Sequence, residues 1–129
     1  MAKTTEMFVK DILNYSKDDK EADIVVSDGI YDVICYDYPI RNNLLLNKKI
    51  STIHAYLASN IIKSDEEGFS IKKLSSYYSY VFVARVVSVE HRLVQIGMLM
   101  IYLDESIPLD IRNGDYISFK VSRLDAIVN

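Results

Sequence analysis

The chain has 129 residues, half of them hydrophobic and 26% charged, with 15 Lys/Arg against 18 Asp/Glu and one cysteine. Length and composition fit one ordinary globular domain, able to bury a core without a disulfide or metal staple. A formal charge of −3 excludes a global positive field for phosphate backbones, and a lone cysteine excludes an internal disulfide. The charge is uneven: residues 1–68 carry 8 Lys/Arg and 12 Asp/Glu, or −4, whereas residues 69–129 carry 7 and 6, or +1.

A cytoplasmic protein is expected. The single thiol suits a reducing compartment, and "MAKTTEMFVKDILNYS" breaks any signal-like apolar core with Lys3, Glu6, Lys10 and Asp11. The longest apolar stretch, Gly97–Leu103, has the length of a strand and not of a membrane span. No cofactor or metal is expected either. Four scattered glycines cannot form a phosphate loop, and Asp, Glu and His do not cluster at metal-ligand spacing.

In chain order, residues 3–16 fit a helix, with Phe8, Ile12 and Tyr15 on one face, or a strand joined to the next by the turn "SKDDKE". The short polar turn favours strand. "ADIVVS" and "IYDVICY" are rich in Val, Ile and Tyr and flank Asp28-Gly29, a hairpin signal, with a glycine bulge in one long strand as the rival. Either way Ala22–Tyr38 is sheet, ended by Pro39, with Cys35 on a packing face beside Val33 and the aspartates at turn and surface. Residues 50–62, "ISTIHAYLASNII", satisfy helical and strand periods alike, because Ile53, Leu57 and Ile61 recur every four residues. "KSDEEG", Lys63–Gly68, is a turn, and Ser64–Ser79 has room for a helix or cap.

"SYVFVARVVSV" and "LVQIGMLMIYL" are two strands joined at Glu90–Arg92. That loop would pair Val89 with Leu93 and set Arg85 opposite Gly97. Pro108 and Asn113-Gly114 punctuate the next loop. The last strand alternates Ile117, Phe119 and Val121, and the same parity continues into Arg123, Asp125 and Ile127.

The first glycine-interrupted β segment, the central hairpin and "IPLDIRNGDYISFKV", in which Gly114-Asp115 precedes the alternation of Tyr116–Val121, resemble the small oligonucleotide/oligosaccharide-binding (OB) barrel. The resemblance covers roughly residues 21–127, with residues 1–20 an extra strand or helix. It implies a mainly β fold, a small antiparallel barrel with at most one or two helices, and single-stranded nucleic acid as one ligand class. It is a likeness of fold and carries no particular activity.

Candidate contact residues are few. Tyr77, Tyr78 and Tyr80 in "SSYYSY", with Lys72 and Lys73 upstream and Arg85 or Arg92 nearby, form a basic–aromatic set that could stack on bases, although alternation also makes Tyr78 and Tyr80 core residues. His91 and Arg92 sit at a hairpin tip. Arg123 and Asp125 place two charges on an apolar strand face, as a core-ending ion pair or a ligand anchor, with Asp104 and Asp110 as further partners for Arg123. Cys35 with His54 or His91 would need to converge to act as nucleophile and base. Catalytic motifs are absent and tyrosine, abundant at interfaces, is plentiful. The expected function is therefore a non-catalytic protein-interaction module, self-associating or bound to a dedicated partner of the inhibitor or immunity type. The alternatives are a single-stranded nucleic-acid binder and an enzyme using Cys35.

Overall fold

The computed structural model describes residues 7–16, 18, 21–37 and 49–127. The described residues form twelve strands: β1 (Met7–Ser16), β2 (Glu21–Ser27), β3 (Asp32–Asp37), β4 (Lys49–Ile50), β5 (Thr52–Tyr56), β6 (Ser59–Lys63), β7 (Ser70–Lys73), β8 (Tyr80–Ser88), β9 (Leu93–Ile96), β10 (Leu99–Tyr102), β11 (Tyr116–Val121) and β12 (Arg123–Ile127). The mainly β class is as expected, and the described residues contain no helix. Residues 7–16 form a strand, and residues 50–62 carry the end of β4, β5 and most of β6, interrupted at Ser51 and at Leu57-Ala58. Ser64–Ser79 holds the short strand β7 and no helix. Tyr38 and Pro39, and residues 3–6, lie outside the described residues.

The strands form one mixed sheet in the order β4-β1-β2-β3-β12-β5-β10-β9-β8-β11-β6, with β7 on β8. The ladder path is open between β4 and β6. Two of its pairings, β10 with β5 and β12 with β3, are parallel, so the sheet is not wholly antiparallel. Residues 57–98 separate β5 from β10 and residues 38–122 separate β3 from β12 in the chain, so neither parallel pair is asked of a tight turn, which could not make one.

Two long segments, 52–63 and 116–127, pair with each other on both sides of a shared corner. β12 lies against β5, and β11 lies against β6. At the corner Leu57 adopts φ +56°, and the Ser122 N–H donates to the Tyr56 carbonyl at 3.0 Å. Side-chain parity changes there in both segments. Ile117, Phe119 and Val121 face the core, and past Ser122 the inward residues are Leu124 and Ala126. On the other segment Ile53 and Ala55 point inward, then Ala58 takes the buried place while Leu57 turns out. Arg123 and Asp125 therefore do not extend the core face, contrary to the alternation read from the sequence. A corner inserts one residue's worth of phase and turns them outward.

Asp28-Gly29 does make a hairpin turn, between Ser27 and Asp32. Asp28 is buried, not a surface residue. Its Oδ1 accepts the N–H groups of Ile30 (2.9 Å) and Tyr31 (2.7 Å), and its Oδ2 accepts Met98 N–H at 2.7 Å. One carboxylate thus ties the β2–β3 turn to the turn between β9 and β10. That second turn is Gly97-Met98, so "LVQIGMLMIYL" is a hairpin and not one strand, with Ile96 paired to Leu99. Gly97 has φ +57°, and a Cβ there would lie 2.5 Å from the Tyr31 ring. Only glycine meets both demands. The register differs as well: Arg85 pairs with Gln95, not Gly97, and Ser88, not Val89, with Leu93, with a bulge between Val86 and Ser88.

The core runs through Ile24, Val26, Ile53, Phe82, Ile96, Leu99, Ile101, Ile117, Phe119 and Leu124. Tyr80 belongs to it, stacked on Phe82 at 5.1 Å, while its hydroxyl accepts the Ile34 N–H at 2.9 Å. Cys35 is fully buried in the same core. Removing the Asp28 carboxylate would strand three backbone donors, so Asp28→Ala is expected to cost about 3 kcal/mol and Gly97→Ala about 2 kcal/mol in urea denaturation. The double variant should lose less than the sum of the two, because both act on one contact.

Candidate functional site

Residues paired across neighbouring strands point to one face of a sheet. The registers Asp23↔Tyr36, Tyr36↔Asp125, Asp125↔His54 and His54↔Tyr102 therefore lay a row across β2, β3, β12, β5 and β10 on the outer face. Arg123↔Tyr56 forms the next rung.

The Arg123 guanidinium sits 4.9 Å from the centres of both the Tyr36 and Tyr56 rings. It donates to both Asp125 oxygens, at 2.6 and 3.1 Å. That hydrogen bond holds the Arg123 pKa above its ordinary value. Asp125, and not Asp104 or Asp110, is its carboxylate. Asp104 instead accepts the N–H groups of Leu57 (2.8 Å) and Ala58 (2.9 Å) and so fixes the corner. A leucine in the left-handed region costs roughly 1–2 kcal/mol, and this clamp offsets it.

The loop between β7 and β8 covers the other end of the row. Tyr78 packs edge-on against Tyr36 at 5.9 Å and against Tyr77 at 4.8 Å. Its hydroxyl donates to Asp23 Oδ1 at 2.6 Å, and Asn14 Nδ2 donates to Asp23 Oδ2 at 3.0 Å and to the Tyr77 hydroxyl at 3.1 Å. Asp23 is buried beneath them. Burial, then the bond to Asp23 and its charge, push the Tyr78 pKa well above the tyrosine norm, and burial raises Tyr77 too. The Tyr36 hydroxyl donates to Glu21 at 2.7 Å, and His54 stacks on Tyr102 at 5.5 Å. The result is a contiguous aromatic surface in which Tyr56 is 51% exposed and Tyr77 43% exposed.

The structure gathers Tyr77, Tyr78, Arg123 and Asp125 here, with Lys73 beside the Tyr77 ring and donating to the carbonyls of Leu74, Ser76 and Ser79. Arg92 reaches the corner by donating to the Asp104 carbonyl at 3.2 Å. Tyr80 lies in the core. Lys72 stands opposite Val81, Arg85 opposite Tyr116 and Gln95, and His91 in the exposed turn after β8. Tyr36, His54, Tyr56, Leu57, Tyr102 and the buried Asp23 complete the surface. Of these only His54 carries a sequence expectation, as a base for Cys35; the common face of all six exists only through long-range register. The one sequence signal was the pair Leu124 and Ala126, whose apolar character on the other parity marks the corner.

The surface offers stacking, cation–π and hydrogen-bonding contacts. Among the described residues no three His, Cys, Asp or Glu side chains gather to hold a metal ion. No described helix is long and apolar enough to cross a membrane. Comparison with known proteins finds no matching family model, no similar curated protein and no similar solved structure.

Burial drives the Cys35 thiol far above its ordinary pKa, with the Asp125 and Asp37 charges adding to the effect. A thiol reagent should modify Cys35 only after denaturant is added. Tyr78 ionises later in the folded chain than in the unfolded one. Its stabilising contribution is present below about pH 10, the unfolded tyrosine pKa, and is lost as pH rises through the folded value. Tyr78→Phe should flatten that alkaline loss, while at neutral pH it destabilises by about 1–2 kcal/mol, because Asp23 loses a buried donor.

Proposed function

We propose that this is a non-catalytic protein-interaction module whose contact surface is the outer face bearing Tyr36, Tyr56, Tyr77, Tyr78 and Arg123. One observation carries the reading: a contiguous, exposed tyrosine–arginine surface whose cations are already engaged within the chain. Tyrosine and arginine are the side chains that dominate binding energy at protein interfaces, by offering large rigid area with polar tips. Arg123 is held by Asp125 and Lys73 by backbone carbonyls, so the surface has no series of uncommitted cations to track a phosphate backbone.

The second reading is a single-stranded nucleic-acid binder, in keeping with the OB resemblance. Its support is the aromatic row itself. Tyr36, His54, Tyr56 and Tyr102 share one sheet face, as bases stacking on a strand platform would require.

A photo-crosslinker separates the two. With p-benzoylphenylalanine in place of Tyr56 in the native host, a discrete adduct containing a second polypeptide and insensitive to nuclease is expected. The same group in place of Ile30, exposed at the β2–β3 turn, should give none. An adduct that disappears on nuclease treatment would favour the nucleic-acid reading, and no adduct at position 56 would remove the surface from consideration.

A further inference from the structure

Asp23 is a carboxylate that the core does not call for. It stands on the outer face of β2, yet it is only 5% exposed, because the loop 74–79 lies over it. Burying a charge is costly unless donors meet it. Tyr78 donates to one oxygen at 2.6 Å and Asn14 Nδ2 to the other at 3.0 Å, and the same amide reaches the Tyr77 hydroxyl at 3.1 Å.

Asn14 is built into this position. Leu13 pairs with Asp23 and Ser16 with Glu21, so Asn14 and Tyr15 stand against Ala22 alone. Such a bulge re-aims a side chain. Asn14 takes φ +24° within it, a backbone that asparagine tolerates better than most residues. The amide so aimed joins Asp23 of β2 to Tyr77 of the loop.

The loop itself hangs on the neighbouring strands by side chains. Its backbone bonds stay at its own base, from Leu74 N–H to the Ser79 carbonyl (3.0 Å) and from Ser79 N–H to the Ser76 carbonyl (3.2 Å). Lys73 braces that base through the carbonyls of Leu74, Ser76 and Ser79. Toward β1, β2 and β3 the described contacts are the Tyr77 and Tyr78 hydroxyls and the Tyr78 ring on Tyr36, at 5.9 Å. The β7–β8 ladder ends at Lys73 and Tyr80, so the loop can swing outward without breaking a strand pair. Segments tied this lightly open at low cost. The chemistry of the seam suits opening as well. A carboxylate, an amide and two hydroxyls are satisfied by each other when covered and by water when bare. An apolar seam would have made the open state expensive. Opening would carry Tyr77 and Tyr78 off the tyrosine–arginine surface and bare Asp23 beside Tyr36.

We propose that loop 74–79 is a strap that opens and closes over Asp23, that Asn14 is the positioning residue that latches it, and that the contact surface is complete only when the strap is closed. The inference rests on the protein-interaction reading and concerns how that same surface is regulated. A partner that touches Tyr77 holds the strap shut, and by linkage a shut strap strengthens binding.

Hydrogen exchange of the full chain, read by mass spectrometry at about pH 8, tests the latch. Asn14→Gly keeps the left-handed backbone and removes the amide. Exchange of 74–79 is expected to quicken roughly ten-fold, the loss of a charge-assisted bond, with β8 and β11 unchanged. Asn14→Asp puts a carboxylate where a donor stood, so it should match Asn14→Gly at this pH. Toward about pH 5 its protection, corrected for the intrinsic rate, should return, because two carboxyls held this close share a proton. The other groups facing Asp23 are Tyr36 from β3 and Tyr77 and Tyr78 from the strap, tyrosines that keep their protons over that range. Glu21 lies beyond the Tyr36 hydroxyl, and Lys73 beyond the Tyr77 ring. Asn14→Gly combined with Tyr78→Phe removes both donors to Asp23 and should leave the strap mostly open. In that background the polypeptide adduct from p-benzoylphenylalanine at position 56 should fall about ten-fold. Strap exchange unchanged in Asn14→Gly overturns the proposal, as does exchange that quickens alike in β8 and β11. An adduct undiminished in the double variant overturns the proposal and leaves the interaction reading standing. No adduct at position 56 with Asn14 and Tyr78 in place, or one lost to nuclease, overturns that reading and the proposal with it.

Discussion

The carboxylate of Asp104, bridging the amides of Leu57 and Ala58, holds the corner on which the sheet depends. An all-strand domain must bend its longest strands to wrap a core, and bending breaks the alternation that keeps apolar residues inside. Here two paired segments bend at one point and change parity together. Ala58 and Leu124 take over inward positions as Leu57 and Arg123 leave them. Without the clamp, the left-handed leucine would lack its compensation, and the ladders on either side would not keep a common register. The same step that closes the core also produces the outer surface of Tyr56, Leu57 and Arg123.

A second carboxylate plays a comparable part at another place. Asp28 welds two hairpin turns, and Gly97 is required there by the space Tyr31 leaves. Both clamps satisfy backbone donors with a charged acceptor, the stronger form of hydrogen bond. Cys35, the one thiol, is sealed in the core.

Local patterns made much of the fold legible. The Asp28-Gly29 turn, the β8 strand, the punctuation at Asn113-Gly114 and the alternation of Ile117, Phe119 and Val121 all follow from short-range chemistry and were readable as such. What could not be read were events that depend on distant residues. Gly97 looked like a glycine inside a strand until Tyr31 and Asp28 were set against it. Arg123 and Asp125 looked like charges on a core face, because nothing nearby announces a corner except the inverted parity of Leu124 and Ala126. Of the contact surface, Tyr77, Tyr78, Arg123 and Asp125 stood out as residue types. Tyr36 and Tyr56 do not, and His54 stands out only as a base for Cys35, since only the pairing of β3, β12 and β5 brings the three together.

Hydroxyl-radical footprinting tests most directly whether this face is where the protein makes its contacts. The chain would be oxidised in native-host lysate and, separately, as dilute purified protein, then recovered under denaturing conditions and compared. Tyr56 and Tyr77 are expected to be protected in the lysate, while Ile30, more exposed and at the β2–β3 turn, should react equally in both. Equal oxidation of Tyr56 and Tyr77 in the two samples, with protection appearing elsewhere or nowhere, would contradict the account.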